Sequence, residues 1–178
     1  MEPWGQRLQA WHEFYAFAGA AAATLMGLMF VVMSLGQRTL ASEEGTRATR
    51  SFFTPIVAFF ATVIVVAMMM LIPDTSPSAL GALLELVALV GIAYMIVSGA
   101  HSMWRESELG FDDLLWYVVL PYLSYAAIGV AAAAIWKAPA FGLYTAAASM
   151  VLLLLIGIRN AWDLVIYNVQ RSSHDENG

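Results

Sequence analysis

Five apolar stretches, 14–35, 51–72, 79–100, 114–136 and 138–158, dictate the solvent in which this chain folds. Each holds roughly 22 residues, and a helix needs about 20 to cross the hydrocarbon core of a bilayer. The expected fold is an all-α integral membrane protein, a bundle of five transmembrane helices. The fifth helix is expected to run on over 159–170. Arg159 and Asp163 stand at i, i+4 there, and Trp162, Ile166 and Tyr167 can lie along the interface.

Composition agrees. The 178 residues are 61% hydrophobic and 12% charged, about half the charged share of a soluble domain. The spans use most of the length, so 1–178 is expected to be a single membrane domain. The net charge of −5 is spread among the connections. Without a block of Lys and Arg to neutralise phosphates, no nucleic-acid partner is expected. The chain has no cysteine, which removes disulfides, thiolate metal sites and thiol nucleophiles. The first apolar run is far longer than a signal-peptide core, so it is expected to stay as a span.

Orientation follows from the basic residues, which favour the cytoplasmic side. Arg38, Arg47, Arg50, Arg105, Arg159 and Arg171 share one side; only Arg7 and Lys137 fall on the other. The N-terminus is therefore expected outside and the C-terminus in the cytoplasm. Trp4, Trp11 and Trp136 then mark the outer boundary, and Trp104, Trp116 and Trp162 the inner one. Indoles prefer that level. Residues 72–78, with two prolines, read as a tight outer loop. Gly36 reads as a C-cap, and Asp112 and Asp113 as caps of the fourth span. Pro121 should kink that span. The turn Lys137-Ala138-Pro139 makes spans four and five a hairpin. Five spans cannot divide into two equal inverted halves, which argues against a repeat-built transporter.

Glu85 is the one ionisable side chain deep within a span. Acids at such depth are costly and mark proton or cation sites or a structural hydrogen bond. Its helical neighbours Gly81, Ala88, Ile92, Met95 and Gly99 form a partly small-residue face, so Glu85 is expected to face protein. Tyr144, Thr145, Tyr15 and His12 lie at similar depth and are its expected partners. Gly19, Ala23 and Gly27, at steps of four, form a helix-packing or oligomer face.

Other features carry less. Met26, Met29 and Met33 line one helix face, and soft thioethers suit Cu(I), but methionine is a common filler of apolar gaps. Met68, Met69 and Met70 point three ways round their helix, so they cannot form one site. His12, His101 and His174 differ in depth and cannot pair across a haem. No metal or cofactor is expected. Ser98, Ser124 and Ser149 stand alone in apolar helices, where serine bonds a main-chain carbonyl. No hydrolase, kinase or protease motif is present, so no enzymatic activity is expected.

WHEFYAFAGAAAATLMGLMFVVMSLG, from Trp11 to Gly36, and GIRNAWDLV, from Gly157 to Val165, resemble a broad group of uncharacterised bacterial multi-pass inner-membrane proteins. The similarity covers the whole chain in layout and is motif-level in those two stretches. It implies a bacterial plasma-membrane location and carries no activity. As part of a shared signature, Arg159, Asn160, Trp162 and Asp163 would mark a cytoplasmic contact surface.

The first functional expectation is a homo-oligomeric, channel-like protein with its pathway between protomers. Five helices with so few polar groups cannot enclose a cavity, and hydrophobic constrictions can gate by dewetting. The alternative is an accessory or assembly subunit of a larger membrane complex. A third is proton-coupled transport through Glu85. The expected partners are the bilayer and a second copy or another membrane protein.

Overall fold

The computed structural model describes residues 3–35, 43–103, 114–137 and 139–175, and every element among them is helical. A short helix α1 (Trp4–Ala10) precedes α2 (His12–Leu35), α3 (Glu43–Met70) and α4 (Pro77–Met103). A π-helical turn (Leu115–Val119) leads into α5 (Leu120–Lys137), and α6 (Pro139–Asp175) ends the described chain.

Four of these helices contain segments long and apolar enough to cross a membrane: His12–Ser34, Pro77–Ser98, Leu115–Lys137 and Pro139–Asp163. The apolar run Thr54–Met70 in α3 is shorter. Large side chains such as Phe17, Leu89, Val97 and Leu155 stand exposed around the bundle. Such a surface suits lipid, where nothing drives apolar groups inward.

Helix α6 is central. It packs along α5 on one side and α3 on another, and touches α2. Helix α2 packs on α3, and α4 packs mainly on α5. From α2 to α6, consecutive helices run antiparallel. One end of the bundle, the near end, gathers α1, the 71–76 turn and the junction of α5 with α6. The far end holds the π turn and the continuation of α6.

Small residues let these helices approach. A β-carbon on Gly157 would stand 2.5 Å from Phe60 Cε1 of α3, and one on Gly142 2.8 Å from Ile135 Cγ1 of α5. The core between them is filled by Tyr15, Phe59, Phe60, Leu84, Tyr125, Ile128 and Met150. Tyr15 donates its hydroxyl proton to the Leu143 carbonyl at 2.9 Å, tying α2 to α6. The Tyr125 hydroxyl lies 3.0 Å from that of Thr62, which itself donates to the Ala58 carbonyl at 2.8 Å. Tyr125 is therefore the donor in the pair, linking α5 to α3.

Helix limits follow local chemistry. Pro77 and Pro139 open α4 and α6, where a missing N–H costs nothing. Ser76 caps α4 by accepting the Ala79 N–H at 3.2 Å. The expected outer loop over 72–78 therefore ends earlier, because its second proline starts a helix. Asp74, at φ 52°, takes the left-handed conformation that turns the chain from α3 to α4. Helix α1 was not foreseen: its seven residues lie across the near end and bury Leu8. The Trp4 indole holds it there by donating to the Thr75 carbonyl at 2.8 Å.

The expected stripe Gly19, Ala23, Gly27 is divided. A β-carbon at Gly19 would meet the Ala67 side chain of α3 at 2.8 Å, whereas Gly27 has nothing within 4 Å and Ala23 is exposed. Each step of four turns the stripe by about 40°, so Gly19 reaches α3 while Gly27, two steps on, stands clear of it. The face that packs is Tyr15, Ala18, Ala22 and Met29. Among the methionines, Met68 is exposed and Met70 fully buried, so the run does point different ways. Ser98, Ser124 and Ser149 each donate to a main-chain carbonyl in their own helix. Gly36, Trp104, Asp112 and Asp113 lie outside the described residues.

Candidate functional site

Glu85 lies in α4, eight residues from its start, about 12 Å along the axis. Helix α4 buries Leu80, Leu84, Ala88 and Met95 against its neighbours. Glu85 is turned about 100° from Leu84 and is exposed on the outer side of that face. Its carboxylate reaches over α5. A β-carbon added to Gly129 would stand 3.8 Å from Glu85 Oε2 and 3.6 Å from Ala88 Cβ. Gly129 thus forms a shallow notch beneath the carboxylate. Exposed small residues surround it: Ala82 on α4, and Ala126 and Ala133 on α5. Leu86, Leu89 and Val130 complete the apolar rim.

The expectation that Glu85 faces protein is corrected. The buried face of α4 is centred on Leu84 and Ala88, and one residue's rotation carries Glu85 out of it. The expected partners are elsewhere. Tyr15 spends its hydroxyl on Leu143, and Thr145 donates to the Phe141 carbonyl at 2.8 Å. Tyr144 is exposed and meets Trp11 edge-to-face at 4.6 Å. His12 lines a near-end cleft with Trp4, Gln9 and Asp74. These groups belong to α2 and α6 and to a different side of the bundle from the α4–α5 groove. Among the described residues no hydrogen bond or ion pair reaches Glu85.

A second polar group lies at the far end. Arg159 and Asp163 form an i, i+4 ion pair at 3.6 Å, both partly exposed. The Arg159 guanidinium stacks over the Trp116 ring at 5.2 Å, and Tyr117 donates to Asp163 Oδ2 at 3.3 Å. These contacts hold α6 to the π turn just before Pro121. The kink expected at that proline takes the form of a widened turn. Trp162 is exposed, as a contact surface requires, but Asn160 is 2% exposed. Its place in the expected surface is corrected, because position 160 follows Ile156 and Gly157 on the buried side of α6.

Sequence reasoning did not find Gly129, Trp116 or Tyr117 as site residues. The π turn carries no composition signal beyond the nearby proline. Gly129 has no meaning until α4 lies beside it. Among the described residues no cluster of three His, Asp or Glu could hold a metal ion. No protein-family model, curated protein or solved structure matches the chain.

Proposed function

We propose that this chain is a five-span, homo-oligomeric, channel-like membrane protein whose α4–α5 faces line a shared cation path at Glu85. The observation that carries the reading is the exposed Glu85 carboxylate, set over Gly129 within the apolar length of α4, with no partner among the described residues. A charged side chain left facing lipid costs about 2.5–3.5 kcal/mol or more. A neighbouring copy removes that cost by excluding lipid and admitting water. The alanines flanking the carboxylate allow close approach, and a ring of carboxylates selects cations. A tightly filled protomer core supports a path between copies rather than through one. The channel role needs no catalytic residue or cofactor.

The bundle is read with α3 as its fifth span, the near end outside and the far end in the cytoplasm, because chain order assigns six of the eight basic residues to the cytoplasmic side. The bacterial plasma membrane is the proposed location, on the resemblance of the first and last spans. Native mass determination and planar-bilayer recording of the purified protein test the function. A closed oligomer with cation-selective conductance is expected; a strict monomer that never conducts removes the idea.

One observation favours a second reading, an accessory subunit of a larger membrane complex. Helix α6 continues beyond its apolar segment, with Trp162 exposed at the segment's end and Ile166 exposed just past it. Crosslinking and mild-detergent purification separate the two, since a stoichiometric foreign partner supports the subunit and a ring of this chain alone supports the channel.

A further inference from the structure

Asn160 is almost fully buried, yet neither its Nδ2 nor its Oδ1 has a hydrogen-bond partner among the described residues. Buried amides are nearly always paired, because each unpaired atom forfeits its bond to water. The register of the helices shows what is level with it. Gly142 faces Ile135, and Tyr117 reaches Asp163, so antiparallel α6 brings Asn160 alongside the π turn.

That turn has an unserved group of its own. The carbonyl of Trp116 would ordinarily accept from residue 120. The Leu120 N–H bonds Leu115 instead. The donor one further along, which a π helix would use, is residue 121, a proline with no N–H. The helical ladder therefore supplies nothing to the Trp116 carbonyl. One helix thus presents an unpaired carboxamide, and its neighbour, at about the same level, a carbonyl without its usual helical donor.

We propose that Asn160 and the π turn form an internal hydration site, in which bound water accepts from Asn160 Nδ2 and donates to Oδ1 and to the Trp116 carbonyl. Water suits this set because it both donates and accepts, and buried water typically makes about three such bonds. A cation would serve only the two oxygens and leave Nδ2 unpaired. It would also sit one residue from Arg159. The site stands at the far end of α5–α6, and it does not depend on the channel reading or on Glu85.

A double-mutant cycle on the full-length protein in detergent tests it. Asn160→Leu removes the carboxamide, and Pro121→Ala supplies an N–H that can serve the turn directly. If water joins the two groups, Asn160→Leu lowers the melting temperature by several degrees in the native background and by less than half as much beside Pro121→Ala. Equal shifts in both backgrounds overturn the proposal. Should Pro121→Ala fail to fold, X-ray radiolytic labelling decides the matter, because bound water oxidises its immediate neighbours. Labelling of Trp116 that falls at least twofold in Asn160→Leu supports the site; unchanged labelling overturns it. Melting in sodium, potassium and choline chloride at equal ionic strength separates water from a metal. The same temperature in all three is expected. A sodium- or potassium-specific rise that Asn160→Leu abolishes overturns hydration in favour of a cation.

Discussion

The ring of Tyr125 occupies the space that a side chain at Gly91 would need, since a β-carbon built there overlaps the ring carbons. Both residues are buried, and the phenol is held in place by Thr62. Gly91→Ala should therefore force α4 away from α5 and cost about 1–3 kcal/mol, the usual penalty of overpacking. Thermal unfolding in detergent measures it. Tyr125→Phe should lose only the hydroxyl bond, about 1 kcal/mol, and should not rescue Gly91→Ala, because the ring remains.

Tyr15 joins the first long helix to the last through one hydrogen bond in a fully buried place. Tyr15→Phe should cost about 1 kcal/mol and weaken the docking of α2 without changing the other helix contacts. Protease sensitivity of the α2–α3 connection, compared with unfolding of the whole, checks this. Equal loss in both would show that α2 has no separate stability.

Glu85→Gln keeps the shape and removes the charge. It should leave the oligomer intact and lower conductance or cation selectivity, read in planar bilayers and by native mass. Glu85→Leu should abolish selectivity and leave melting unchanged or raised, since no described group depends on the carboxylate. A loss of assembly with either change would make the acid a structural contact instead.

The Arg159–Asp163 pair is partly exposed, and such pairs contribute about 0–1 kcal/mol. Asp163→Asn keeps an acceptor for Tyr117 and removes the charge, so it should shift stability by no more than that. Gly157→Ala should cost more, because its β-carbon would run into Phe60. Comparing the two variants under one melting protocol ranks charge against fit at this end of α6.

Topology is open to direct measurement. Cysteines placed at Ser76 and at Ser172, in a chain with none of its own, should react with a membrane-impermeant thiol reagent from opposite sides of intact cells. Labelling of both from outside would overturn the proposed orientation.

The apolar runs made the helices legible, because a span must satisfy its own backbone and so announces itself by length. Pro121 marked a distortion, since an absent N–H acts locally, whereas Pro77 and Pro139, expected in turns, open helices instead. What the residues did not disclose was the angular position of each side chain about its helix. Glu85 seemed to share a small-residue face with Gly81 and Ala88, yet it stands one step outside the contact. Asn160 seemed to belong with exposed Trp162, yet it points inward. Lipid leaves outward and inward faces equally apolar, so the periodicity that orients a helix in water is missing. Gly91 and Gly157 matter only through Tyr125 and Phe60, far away along the chain, and no local pattern could single them out.

Helix α6 runs without a break from Pro139 to Asp175, 37 residues, or about 55 Å at the rise of an α-helix. A hydrocarbon core of about 30 Å cannot contain it. Nothing along it can absorb a twist: it has no internal proline, and its glycines are wedged against Ile135 and Phe60. A torque on its projecting end is therefore carried along one continuous helix toward the middle of the bundle. The π turn meets that torque first, through Asp163 and Arg159, and Gly157 meets it next, where Phe60 must follow or be dislodged.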